Sequence, residues 1–259
     1  MFYNRSTIYR GFSITAATLA LILFTIPTVR ADTVDIQITT PAPYSNGASF
    51  SGQQGAFTGD GIAAPVWNVN LGTTSENDLV NSAGIATGIS YTLTFNSGDS
   101  TNFFSDTTDT ALPTLLMGYA FVNNNNAYPS PNGIVNLTGL IPNGQYQLYM
   151  YSQNTKYDSN GATFSITQGN GGPSNGSTSS AINTGNNTTF QLGVNYVIFT
   201  ATANNAGDLG ITWTPNNGGT EGDFNGLQIT AVPEPATLGL IAVSGLGLLL
   251  ISRKRSILT

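Results

Sequence analysis

The sequence predicts an all-β protein: an antiparallel β-sandwich of jelly-roll type, flanked by a cleavable N-terminal signal helix and a single C-terminal transmembrane helix. Three observations carry that prediction. Apolar and polar residues alternate with period two along about eleven short runs, the pattern of half-buried strands. Groups rich in Asn and Gly separate those runs, and between residues 32 and 231 no convincing 3.6-residue apolar period appears. Each end, by contrast, is an uncharged apolar run beside basic residues.

Residues 1–31 hold Arg5 and Arg10, then the uncharged run 14–26, then Pro27, Val29 and Ala31. That order of basic, apolar and small residues is a secretory signal, with cleavage expected between Ala31 and Asp32. The run is short for a permanent span, which needs about 20 residues.

The expected strands of the body follow in order at 33–39, 66–71, 89–95, 114–122, 134–138, 145–151, 162–167, 188–192, 194–200, 208–214 and 226–230. Turns are expected at 142–144, 158–161, 206–208, 216–219 and 221–223, where Asn, Asp and Gly tolerate positive φ. Residues 123–131 and 169–187 are too polar and Gly-rich to bury much area and read as loops. About four strands follow the second loop, too few to close a sandwich alone, so residues 32–231 are expected to form one domain.

Charge excludes several function classes. The chain has 7 Lys and Arg against 13 Asp and Glu, but residues 32–232 keep only Lys156 against twelve acids, a formal charge of −11. Such a body has no basic stripe to neutralise phosphates, so no nucleic-acid partner is expected. The absence of Cys and His removes disulfides, zinc sites built on those ligands, and Ser-His-Asp or Cys-His catalysis. No cofactor is expected. Calcium is the one metal the composition permits, because it takes carboxylate and carbonyl oxygens; Asp106 with Asp109, or Glu221 with Asp223, would be its ligands.

Residues 145–151 place Tyr146, Leu148 and Met150 on one face and Gln145, Gln147, Tyr149 and Tyr151 on the other. Gln147, Tyr149 and Tyr151 combine flat apolar rings with hydrogen-bonding groups, the chemistry of a glycan-facing surface. The alternative is a central strand packed on both faces, with the tyrosine hydroxyls finding local partners.

Val232, Pro233, Glu234 and Pro235 open the tail. Residues 236–252 follow without a charge, about 25 Å as a helix, close to the roughly 30 Å of a bilayer core. Arg253, Lys254 and Arg255 then favour the cytoplasmic side and put the body outside. The two prolines cannot continue the helix backward, so residues 232–235 are expected to be an extended, accessible elbow. A plain stop-transfer anchor is the alternative.

This order of Pro-Glu-Pro, apolar run and basic cluster resembles the PEP-CTERM sorting signal of exported proteins in Gram-negative bacteria. The resemblance implies residues 232–259 as a sorting signal, with Val232, Pro233, Glu234 and Pro235 as the recognition motif and Arg253, Lys254 and Arg255 as the stop. It implies exosortase and the general secretion machinery as partners, a membrane-tethered precursor, and a processed product at the cell surface or outside. Members are often associated with exopolysaccharide and biofilm matrix. More loosely, residues 136–151, 162–166, 194–199 and 222–229 are similar to galactose-binding-like and malectin-like jelly rolls, which often bind carbohydrate. The expected function is therefore an exported, non-catalytic surface or matrix protein. The alternative is a specific carbohydrate-binding module, and behind it a glycan-active enzyme using paired carboxylates.

Overall fold

β1 (Thr33–Thr39) alternates as a half-buried strand should, yet all seven of its residues are buried. Val34, Ile36 and Ile38 face the core, and Thr33, Asp35, Gln37 and Thr39 lie under residues folded over the opposite face. The computed structural model describes residues 33–39, 55–96, 103–105, 114–123, 131–153, 161–168, 179–180, 189–216 and 220–232. The expected signal segment with Ala31 and Asp32, the triplet Pro233 to Pro235, the apolar run, Arg253 to Arg255, and Asp106 and Asp109 lie outside them.

The remaining strands are β2 (Asn68–Leu71), β3 (Ser75–Glu76), β4 (Ser90–Asn96), β5 (Phe103–Ser105), β6 (Gly118–Asn123), β7 (Asn132–Thr138), β8 (Gln145–Tyr151), β9 (Ala162–Gln168), β10 (Ser179–Ser180), β11 (Tyr196–Thr202), β12 (Leu209–Pro215), β13 (Glu221–Phe224) and β14 (Gly226–Ala231). They form a five-stranded sheet ordered β11-β8-β14-β1-β2, a six-stranded sheet ordered β10-β9-β12-β7-β4-β3, and a small sheet ordered β13-β6-β5. Among the described strands β1 and β2 pair in parallel and every other named pair is antiparallel. Among the described residues the helical content is one 3-10 turn, Thr114–Leu116, and no helix there is long and apolar enough to cross a membrane. The expected all-β class, with sheets in a sandwich-like arrangement, is what the described residues adopt.

The core lies between the two large sheets. From the five-stranded sheet come Val34, Ile36, Leu148, Met150, Val197, Phe199, Leu227 and Ile229; from the other come Tyr91, Leu93, Val135, Leu137, Phe164, Ile211 and Trp213. Each aliphatic side chain of this kind contributes about 1.5–3 kcal/mol when fully buried. Trp213 packs edge-on to Phe95 at 5.7 Å and tilted against Phe224 at 5.3 Å. Its ring lies over Gly133, the register partner on β7, where any Cβ would collide with the indole.

Several boundaries differ from the sequence expectation. Residues 114–122 are not one strand: the 3-10 turn occupies the start, and Gly118 then passes too close to the Ile38 and Thr39 backbone to carry a side chain. Of the strand expected at 188–192, the described residues 189–192 do not form one, because the Asn195 side chain gathers the local backbone, accepting from Gln191 N–H at 2.8 Å and donating to the Thr189 carbonyl at 2.9 Å. Glu221, Gly222 and Asp223, expected as a turn, form β13 by pairing with β6. Ser179 and Ser180, inside an expected loop, pair with β9.

Candidate functional site

Register places three rows of side chains across the outer face of the five-stranded sheet. Thr200, Gln147, Thr230 and Thr33 form the first; Ile198, Tyr149, Gln228 and Asp35 the second; Tyr196, Tyr151, Gly226 and Gln37 the third. The two ends of this face differ.

Over β14 and β1 the face is closed. Residues 55–57 cross it as a strap: Ala56 N–H donates to the Tyr151 hydroxyl at 2.7 Å, and Phe57 N–H donates to Gln228 Oε1 at 3.0 Å. The Tyr151 hydroxyl also donates to Gln228 Oε1. Gln228 Nε2 then donates to Asp35 Oδ1 at 2.8 Å, and the Ser82 hydroxyl reaches Asp35 Oδ2 at 2.6 Å. Gly55 is required beneath this chain of bonds, because a Cβ there would collide with the Gln228 carboxamide and the Tyr151 hydroxyl. Burial pushes the Asp35 carboxyl up to about 6; the Ser82 and Gln228 hydrogen bonds oppose the rise and the charge of Asp60 adds to it. Burial likewise raises Tyr151 well above its ordinary range.

Over β8 and β11 the face is open. Tyr149 and Tyr196 stack at 6.3 Å with their planes 23° apart, and Phe57 leans on Tyr149 at 5.3 Å. All three rings are partly accessible. The Tyr149 hydroxyl donates to Gln147 Oε1 at 3.2 Å, and exposed Thr200 flanks Gln147 in the register. The result is a row of three aromatic rings edged by amide and hydroxyl groups, with no charged side chain on β8 or β11.

Tyr149 and Gln147 thus stand where the sequence placed them, on the polar and aromatic face of residues 145–151. Tyr151 does not: it is wholly buried among Trp67, Phe190, Tyr196 and the strap, and it buttresses the row from below rather than facing a ligand. Sequence reasoning missed Phe57, Tyr196, Asp35, Ser82 and Gln228. Period two did put Tyr196 on the face opposite Val197 and Phe199, but only register brings it beside Tyr149.

At one end of the same sheet the Asn225 side chain joins its own segment to two others. Its side-chain nitrogen donates to the carbonyls of Leu116 at 3.1 Å, Gly118 at 2.9 Å and Gln153 at 3.0 Å, and its oxygen accepts from Gln153 N–H at 2.6 Å. This explains part of the residue pattern at 222–229: Asn225 holds the end of β8 and the approach to β6 in place. Of the calcium candidates, Glu221 is half-buried and Asp223 is fully buried on β13. Among the described residues no group of three or more acidic, His or Cys side chains is arranged to hold a metal ion.

β14 ends against β8, and Val232 N–H donates to the Gln145 carbonyl at 2.8 Å. Pro233 follows directly in the sequence, so among the described residues the sheet's last hydrogen bond falls on the residue just before the Pro-Glu-Pro triplet.

Comparison with solved structures gives distant likenesses. The chain is similar to the crystal structure of a plant receptor-like kinase, FER, at 13% identity and a TM-score of 0.39, over 78% of this chain and 43% of that one. It is similar to a β-(1,4)-mannanase of Podospora anserina with a family 35 carbohydrate-binding module, at 14% identity and a TM-score of 0.32, over 55% of this chain and 28% of that one. A family 35 carbohydrate-binding module from Clostridium thermocellum matches at 19% identity and a TM-score of 0.32, over 53% of this chain and 90% of that one. The chain therefore spans less than half the length of the first two. No curated protein matches it. Residues 231–255, which begin at the last residue of β14, match the PEP-CTERM protein-sorting motif, and the chain carries that sorting signal.

Proposed function

We propose that this chain is an exported, non-catalytic surface or matrix protein, sorted and processed by exosortase through residues 231–255, whose body holds polysaccharide on the Phe57, Tyr149 and Tyr196 row. The sorting motif supports the export and processing. The observation that carries the role of the body is the aromatic row itself. Tyr149 and Tyr196 present stacked, partly accessible rings beside Gln147 and Thr200, which suits the apolar face and hydroxyl edge of a pyranose. Asp35, the carboxylate of that face, is engaged by Ser82 and Gln228 beneath the strap, which supports a structural rather than a catalytic role.

The junction suits processing. Since β14 ends at Ala231, a cut within or after the triplet removes no residue of a described strand. Two experiments test the reading. Replacing Pro233, Glu234 and Pro235 by Ala should leave a longer, membrane-retained product on immunoblots of cell fractions; unchanged processing and location would refute the sorting assignment. Pull-down of the exported protein on insoluble polysaccharides should show binding that Tyr149→Ala with Tyr196→Ala abolishes. Equal retention of both proteins on every polysaccharide would refute the role of the row.

A further inference from the structure

Charge bears on which glycan the aromatic row accepts. Residues 32–232 hold twelve acids and one cation, Lys156, which lies outside the described residues; among the described residues there is no Lys, Arg or His. On the strap side of the row the charged groups are two carboxylates. Asp60 follows just beyond Phe57 in the chain, partly accessible, and its Oδ1 accepts from Ile62 N–H at 3.0 Å. Asp35 lies beneath the strap, where burial raises its carboxyl and the charge of Asp60 adds to the rise. β8 and β11, which carry Tyr149 and Tyr196, have no charged side chain.

The polar groups that edge the rings are neutral as well. The Tyr149 hydroxyl is spent on Gln147 Oε1, which leaves Gln147 Nε2 and the hydroxyls of Thr200 and Tyr196 to meet a ligand. An amide and two hydroxyls match the hydroxyls of a sugar, donor for acceptor, while the rings cover its C–H face. A carboxylate or sulfate laid on the same row gives up its water and meets no counter-charge, which is the costly way to bury an ion. At longer range, a body of formal charge −11 repels a polyanion before it arrives.

We propose that the row takes uncharged sugars and turns away polysaccharides that carry carboxylate or sulfate groups. The proposal rests on the reading of Phe57, Tyr149 and Tyr196 as a polysaccharide site and adds the class of polymer. Its two contributions separate by range. The repulsion exerted by the body fades as salt shortens the screening length from about 10 Å at 0.1 M to about 3 Å at 1 M, whereas the cost of desolvating an ion on the rings does not. Discrimination that persists at 1 M salt therefore belongs to the row.

The test is a pull-down of the exported protein on cellulose, amylose and β-1,3-glucan, each in neutral form and each with part of its primary hydroxyls oxidised to carboxylates. Retention on a neutral polymer should exceed that on its oxidised form by at least about tenfold at 0.1 M salt and by about threefold or more at 1 M. Gln145→Lys sets an ammonium at an exposed position on the Gln147 face of β8 and should raise retention on the oxidised polymer several-fold. Equal or stronger retention of the parent protein on an oxidised form overturns the proposal. So does discrimination that vanishes at 1 M salt, or retention on an oxidised polymer that matches the neutral form once calcium is added. Retention on a neutral polymer that survives Tyr149→Ala with Tyr196→Ala refutes the underlying reading of the row instead, whichever form is preferred, and no retention on any polymer refutes both.

Discussion

Asp35→Asn should stabilise the protein at pH 8 by about 3 kcal/mol and change little near pH 4. The carboxyl is wholly buried, and its pKa rises from 3.8 to about 6 on folding. Each unit is worth about 1.36 kcal/mol, which sets the size of the effect. The direction follows from which form the fold prefers. A carboxyl with a raised pKa contributes stability that is fully present below 3.8 and is lost as the pH climbs through about 6. The wild-type protein should therefore weaken across that window, and the Asp35→Asn protein should not weaken on this account. An amide also fits the network: it can donate to Ser82 Oγ, while the Ser82 hydroxyl donates to the Thr33 carbonyl, 3.1 Å away. Urea denaturation at half-unit pH steps measures the difference, followed by the fluorescence of Trp67 and Trp213. Both indoles are buried, one in each apolar cluster. In thermal melts at pH 8 the gain corresponds to about 6–12 °C for a domain of this size. A difference between the two proteins that stays flat from pH 4 to 8 would refute the reasoning. Asp60→Asn should move the wild-type midpoint to lower pH, because its charge adds to the rise.

Asn225→Ala removes the one carboxamide that serves three buried carbonyls and the Gln153 N–H and should cost about 3–5 kcal/mol, read as a lower urea midpoint at constant slope. Gly133→Ala drives a methyl into the Trp213 ring and should cost about 1–3 kcal/mol with a change in Trp213 emission. Tyr196→Ala should weaken polysaccharide binding by about fivefold to thirtyfold, or about 1–2 kcal/mol, in affinity electrophoresis, with the urea midpoint of the main core shifted far less than by Asn225→Ala.

The strands were legible because period two is a local property. The cores of residues 33–39, 145–151 and 162–167 emerged within a residue of their observed bounds. The misplaced elements are those whose conformation depends on distant partners. Glu221 and Asp223 read as a turn until β6 supplies a strand to pair with, and residues 188–192 read as a strand until Asn195 captures their backbone. The site divides in the same way. Gln147 and Tyr149 were visible as a polar and aromatic face, but the same alternation gave Tyr151 equal standing, since nothing within β8 shows that residues 55–57 lie across one end of it.

The chain's linear order by itself determined the alternating strands, the acid-free stretches on either side of residues 156–158, and the sorting motif, because each depends on neighbours along the chain. Tertiary structure decided which polar faces are covered and which stay open. Asp35 and Gln228 are 193 positions apart, yet their hydrogen bond raises no alarm in either strand alone. A strand's pattern tells only which residues share a face; whether water or another segment covers that face depends on how the rest of the chain packs. That is why Asp35 becomes a buried carboxyl while Tyr149, one strand beyond Gln228 in the same row, keeps its ring at the surface.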